Sequence, residues 1–274
     1  MDEIVQTLGT PAMIAALEAN LEEEMLGFGR ALAGGEIYND GEMEGFFTGH
    51  PYLNGILRTH LRSSETEYIE ASIRRVVHYF QAKQVSQPGW SVGQDTQPAD
   101  MDVYLENCGF IRLNEDNRGM ALDVEALQVE ERYVEGLEIH EIEDLAGLQI
   151  LKRMEIEGFG SSEEMAQHYY EMYAGAGFGR GTNWRHWSGW WQGEPVAATS
   201  LLLHAGVAGV YGVSTLPAAR RQGIARALVL RAIEEARRVG YRIVILSPTD
   251  MSERIYHSLG FREYTRIRHY SYRG

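Results

Sequence analysis

The sequence predicts an α/β protein made of two halves that share one order of elements. Four observations carry this. Residues 207–213 form a short apolar run, broken by Gly209 and Gly212, that reads as a buried strand with a bulge or a close backbone approach. A loop then opens a helix with Ala225, Leu228, Val229, Ala232, Ile233 and Ala236 on one face, Arg226, Arg231, Glu234, Glu235, Arg237 and Arg238 on the others, and Gly240 at its end. A second apolar run, Tyr241 to Ser247, and a short helix from about Asp250 lead to Gly260-Phe261. The same succession of strand, long helix, strand, short helix and Gly-Phe occurs earlier in the chain and ends at Gly109-Phe110.

In chain order, Thr10-Pro11 opens a helix whose stripe of Met13, Ile14, Leu17, Leu21, Met25 and Leu26 reads as core, ending near Gly34-Gly35. Ile37-Tyr38, Phe46-Phe47 and Leu53 to Leu61 predict short strands in hairpins, with Asp40-Gly41 as a turn. A helix over about Ser63 to Lys83 turns Ile69, Ile73, Val76, Val77 and Phe80 inward. A strand near Trp90 to Val92, a short helix from about Ala99, and strands near Ile111 and Met120 to Leu122 finish the first half. Gln128 to Gly136 is a short polar connection, which places the two domains at 1–130 and 131–274. The second half begins with a strand at Leu137 to Ile142, a helix through Leu145, Leu148, Leu151 and Met154, and another from Ser161. Trp184 to Trp191 and Pro195 to His204 predict an antiparallel pair, and a last strand runs from Tyr264 to Tyr272. Alternation puts Trp184, His186 and Trp190 on one face and Trp187 and Trp191 on the other, so at least one set is core, and acceptor contact is the lesser reading for these rings.

Charge divides the chain unevenly. Residues 1–131 carry 8 Lys+Arg against 23 Asp+Glu (−15), and residues 132–274 carry 17 against 16 (+1), which sum to the net −14. So acidic a first half excludes a nucleic-acid partner, because phosphate binding needs a basic patch. The beginning of the chain lacks a basic segment followed by an apolar one, and no run approaches the length of a membrane span. A soluble cytoplasmic protein with no membrane partner is expected. The single cysteine, Cys108, forms no internal disulfide, and the nine histidines fall in no metal-ligand spacing.

The loop between the strand and the helix carries Arg220-Arg221-Gln222-Gly223-Ile224-Ala225-Arg226. Unpaired amides and the positive helix end meet there, which suits a phosphate group. With Tyr256, Gly260 and Phe261 downstream, this text resembles the GNAT superfamily of acyl-coenzyme A dependent N-acetyltransferases. Its Q/R-x-x-G-x-G/A signature matches Arg220, Gly223 and Ala225, and its Y-x-x-x-G-F ending matches the later residues. The resemblance implies two tandem domains, each a mixed, mostly antiparallel sheet with flanking helices and a splayed pair of parallel strands. It also implies acetyl-CoA as co-substrate and no metal. The amides of Gln222, Gly223, Ile224, Ala225 and Arg226 would hold the pyrophosphate, Arg220 and Arg221 would add charge at the rim, and Val213 and Thr215 match the strand beside the pantetheine arm.

The same resemblance makes Tyr256 the acid that protonates the departing thiolate, and an amine of a small molecule or peptide the acceptor. The base is left open. Many family members carry a glutamate on the fourth strand, and residues 207–214 contain none, so a direct carboxylate base on that strand is in doubt; a water chain is one alternative, with His204, Tyr211 and Ser247 as partners by position alone. The first half has Leu105 where the second has Tyr256, and Arg62 to Glu67 before its long helix contains no glycine and two glutamates, so it is expected to keep the scaffold without the cofactor site. A non-catalytic acyl-CoA binding or sensing protein is the alternative, favoured by the missing strand glutamate and disfavoured by Tyr256. A homodimer is left open.

Overall fold

The computed structural model describes residues 3–127 and 134–274, so most of the polar connection at 128–136 lies outside the described residues. Helix α1 (Pro11–Ala31) is followed by strands β1 (Glu36–Asn39), β2 (Met43–Phe47) and β3 (Gly55–Thr59), helix α2 (Thr66–Ala82), strand β4 (Gly89–Val92), helix α3 (Met101–Asn107), and strands β5 (Phe110–Arg112) and β6 (Asn117–Asp123). Then come β7 (Leu137–Glu141), α4 (Leu145–Met154), α5 (Glu163–Ala176), β8 (Trp184–Trp191), β9 (Glu194–His204) and β10 (Val207–Thr215). The chain closes with α6 (Ile224–Arg238), β11 (Ile243–Leu246), α7 (Glu253–Leu259) and β12 (Arg262–Tyr272). This is the mixed α/β class that the two hydrophobic periodicities predict.

Two compact units make up the chain, and neither is a contiguous half. One comprises Met1–Leu21 and Met120–Tyr264, the other Glu22–Gly119 and Thr265–Gly274. The division therefore falls elsewhere than at 130/131, and the reason lies in strand edges. In the first unit β11 is four buried apolar residues and has neighbours on both edges, β10 in parallel and β6 antiparallel from Ile243↔Asp123 to Leu246↔Met120. In the other unit the end of the chain covers β4, from Arg268↔Val92 to Ser271↔Gly89. An uncovered inner edge would leave a row of unpaired amides and carbonyls, so each sheet takes the strand that closes it whatever its place in the sequence.

In the first unit the sheet order is β6, β11, β10, β9, β8, β7. Helix α6 buries Leu228, Val229, Ala232, Ile233 and Ala236 against Leu201, Ala208, Val210, Val244 and Leu246. Full burial of one such leucine contributes about 1.5–3 kcal/mol. Glu235, expected on an outer face, is 3% exposed because Arg185 of β8 pairs with it from below while Arg238 donates at 2.7 Å. Asn20 of α1 is wholly buried and donates to the carbonyls of Leu202, His204 and Val207 at 3.3, 2.9 and 3.2 Å, while the Tyr211 hydroxyl donates to its Oδ1 at 2.7 Å. Gly209 is required there, since a Cβ would overlap Asn20 Oδ1.

In the other unit β1, β2, β3, β4 and the end of β12 form the sheet, with β5 also on β12. Ile69, Ile73, Val76, Val77 and Phe80 of α2 pack against Met43, Ile56, Trp90 and Val92, the inner face that the periodicity predicts. The order β3, α2, β4, α3, β5 repeats the order β10, α6, β11, α7, β12, and in both the first two strands pair in parallel over two residue pairs.

Candidate functional site

β10 and β11 run side by side only at Ala208↔Val244 and Gly209↔Ile245. Beyond that point a bulge between Tyr211 and Ser214, with Gly212 at φ +57°, bends β10 while it stays paired with β9 through Ser214↔Ala198 and Thr215↔Ala197. The parallel pair therefore opens, and Val213 to Thr215 form one lip of the mouth. Ser214 and Thr215 are 4% and 8% exposed, yet neither hydroxyl has a partner among the described residues. Buried hydroxyls are normally paired, so these two, on opposite faces of the strand, are exceptions on this lip.

A short 3₁₀ turn over Pro217–Ala219 carries the chain from that lip to α6. Arg221 and Gly223 both have left-handed backbone, φ 67° and 90°, and they bracket Gln222 on an exposed rim. No side chain caps α6, and its first main-chain bond runs from Ala227 N to Gly223 O at 3.1 Å. The amides of Ile224, Ala225 and Arg226 thus have no acceptor among the described residues, and about half a positive charge gathers with them. A Cβ at Gly223 would meet only Val134 Cγ2, at an ordinary 3.5 Å, so glycine is needed there for its backbone angle rather than for lack of room.

Arg220 does not sit at the rim. Its Nε donates to Thr215 O at 3.1 Å and its Nη2 to Gly158 O at 2.9 Å, so it clasps the loop to β10 and to the segment after α4. Arg221 is exposed, and Arg226 reaches Ser258 Oγ on α7 at 3.4 Å. Tyr256, on α7, is 5% exposed among the residues that pack under α6, with its ring edge-on to Phe261 at 5.9 Å. Burial pushes its phenol up to about 12, against a smaller opposing effect of Ser252, so it carries its proton at neutral pH.

Sequence reasoning missed Glu155. Helix α4 continues into a π-helical turn, Glu155–Phe159, whose Gly158 faces β10 so closely that a Cβ on it would stand 3.2 Å from Ser214 Cβ. Glu155 accepts from Ser161 Oγ at 3.2 Å, and burial pushes its carboxyl up to about 7 in spite of that bond. The one sequence signal was Gly158-Phe159-Gly160 interrupting a helical pattern.

The aromatic strand is core from Trp184 to Gly189, and Trp190 and Trp191 at its end are half-buried. Trp187 is 1% exposed, with the Arg231 guanidinium over its ring at 5.2 Å, and Trp184 is stacked on His186 beside Tyr173 and Tyr211. Burial lowers the His186 imidazole to about 3, so it stays neutral, with Nδ1 2.7 Å from Ser200 Oγ.

In the other unit the corresponding opening is closed. β3 and β4 part after Ile56↔Trp90, but Gln97 N donates to Thr59 O at 2.8 Å and Leu61 N to Gln97 O at 3.0 Å, which stitches the two arms together again. No such bond joins β10 beyond Gly209 to the chain after β11 among the described residues. The start of α2 also sets Glu65 and Glu67 where a phosphate would need positive charge.

A mixed sheet that opens between parallel strands, with an uncapped helix start at the mouth, defines the fold class of the GNAT acetyltransferases. Residues 148–261 match the family model described as "Acetyltransferase (GNAT) family". Among solved structures, a GCN5-related N-acetyltransferase from Kribbella flavida is similar at 18% identity and TM-score 0.73, with 98% of this chain and 97% of that one covered. A tandem GNAT protein from the clavulanic acid biosynthesis pathway is similar at 14% identity and TM-score 0.65, over 95% and 93%. A GCN5-related N-acetyltransferase from Sphaerobacter thermophilus is similar at 16% and 0.62, over 78% and 70%. No curated protein matches. Among the described residues no helix is long and apolar enough to cross a membrane.

Proposed function

We propose that the unit containing residues 148–261 is an acetyl-CoA-dependent N-acyltransferase that moves an acetyl group to the amine of a small-molecule or peptide acceptor by direct attack on the thioester. The observation that carries this is the uncapped start of α6 at the mouth between β10 and β11. The amides of Gln222 to Arg226 would take the pyrophosphate and Arg221 would add charge from the rim, while the main chain of Val213 and Thr215 lies where the pantetheine arm would run. Arg220 acts through the loop it clasps. Tyr256 is the general acid. Burial that raises its phenol also raises a thiolate brought beside it, so the proton transfer remains feasible in that apolar setting. The protonated Tyr256 is also what favours an enzyme over a protein that only senses acyl-CoA, which has no thiolate to protonate. The thioester carries its own leaving group, so the proposed transfer calls for no metal, and a cytoplasmic location belongs to the same proposal.

Calorimetric titration tests this. Acetyl-CoA is expected to bind once per chain, and Gly223→Glu to abolish binding, because it puts a negative charge at the pyrophosphate and a side chain on a left-handed residue. Two equivalent sites, or none in the unaltered chain, would sink the proposal.

A further inference from the structure

We propose that Glu155 is the proton acceptor for the incoming amine, supplied by the π-helical turn after α4 in place of the glutamate that β10 lacks. This rests on the acetyl-transfer proposal above. Glu155 opens the turn where α4 leaves α-helical winding, a local geometry that recurs at functional sites. That turn is held against the lip of the mouth from two sides, by the Arg220 bond to Gly158 O and by the close approach of Gly158 to Ser214. The Ser214 hydroxyl, without a partner among the described residues, lies on the same lip beside Gly158, three residues after the Glu155 that opens the turn.

The cations of α4 are engaged elsewhere, and α5 contributes mainly carboxylates. On α4, Lys152 donates to Gln167 at 2.6 Å and Arg153 pairs with Glu157 at 2.9 Å. On α5, Glu171 accepts from Gln167 at 2.8 Å, while Glu163 and Glu164 occupy its first turn and His168 is buried further along it. β10 brings only Tyr211, whose hydroxyl is bound to Asn20. Glu155 has no ion-pair partner among the described residues, and burial and the Ser161 hydroxyl are what act on it.

The proton balance is complete without another reactant. The ammonium gives one proton to the Glu155 carboxylate, and the freed amine attacks the thioester carbonyl. As the C–N bond forms and the C–S bond breaks, Tyr256 gives its proton to the thiolate; the second N–H proton then leaves the amide nitrogen to solvent, and the Tyr256 phenolate recovers one from solvent. Glu155 then releases its proton to solvent, leaving amide, free thiol and one proton. Because the carboxyl must be ionised to act, the rate rises with pH through its titration near 7.

The test follows coenzyme A release from acetyl-CoA with tyramine, spermidine and glycyl-phenylalanine as amine probes, between about pH 5.5 and 9. The unaltered chain, Glu155→Gln and Ser161→Ala are compared, with acetyl-CoA affinity measured by calorimetry. Glu155→Gln should lower kcat about 10²- to 10⁴-fold, erase the rise near pH 7 and leave acetyl-CoA affinity unchanged. Its melting temperature at pH 8 should equal or exceed that of the unaltered chain, since a buried charge is removed. Ser161→Ala should move the rise to higher pH by deleting the bond that favours the carboxylate. A Glu155→Gln protein that keeps the rise near pH 7, at any rate, makes Glu155 structural and overturns the inference. So does a chain that binds acetyl-CoA but releases no thiol with any probe, whereas failure to bind acetyl-CoA overturns the acetyl-transfer proposal itself and this inference with it.

Discussion

Tyr256 and Glu155 are both raised by burial, yet the same cause suits them to opposite tasks. A phenol lifted to about 12 keeps its proton at neutral pH and has one to donate, and a carboxyl lifted to about 7 is half ionised there and so able to accept one. Tyr256→Phe keeps the ring on Phe261 and removes only the donor. It should cost about 10²- to 10⁴-fold in turnover with acetyl-CoA affinity unchanged, and steady-state kinetics beside calorimetry check this. Unchanged turnover would mean that the thiolate leaves unprotonated. Glu155 also ties stability to pH. Its folded pKa lies above the ordinary 4.5, so the stability it contributes is fully present below about 4.5 and is lost as pH rises through about 7. Tyr256 was legible because its spacing to Gly260-Phe261 is local. Glu155 was not, because its burial comes from where a π turn lands against β10 and Ser161.

At the scale of elements, the connection from β10 to α6 does most to form the site. Apolar alternation, then Pro217, then Gly223 ahead of a helical repeat place both the strand and the helix start by local pattern alone. What side chains do along that connection was less readable, since one arginine can face a ligand or a carbonyl. Arg220 takes the second course, and Arg220→Ala should therefore act through the loop. Losing two hydrogen bonds from a charged donor is expected to cost about 1.5–3 kcal/mol per bond at most and to weaken acetyl-CoA binding, as thermal unfolding and calorimetry can measure. A variant as stable and as tight as the unaltered chain would show that Arg220 does not shape the cradle. Glu235 illustrates the same limit from the helix side: its place on the α6 wheel is outward until Arg185 of β8 reaches up to it.

For the whole molecule, the division into units makes a prediction about fragments. Residues 131–274 look like a self-contained domain in the sequence, yet the unit around β10 also needs β6 beside β11 and Asn20 under β9 and β10. Expressed alone, 131–274 is expected to lack a cooperative thermal transition, with the β11 edge open and three strand carbonyls missing their donor. A sharp transition at the temperature of the full chain would show that neither segment is needed.

Periodicity, turn residues and two spaced motifs by themselves determined the elements, their order, the doubled pattern, the start of α6 after Gly223 and the place of Tyr256 in the chain, because each of these depends on residues within a turn or two of one another. Strand partners, the boundary of each unit, the role of Arg220 and the environment of Glu155 were decided only by the tertiary structure. An unpaired strand edge is satisfied equally well by a near or a distant segment, and a side chain's charge state is set by the atoms that surround it, neither of which local sequence specifies.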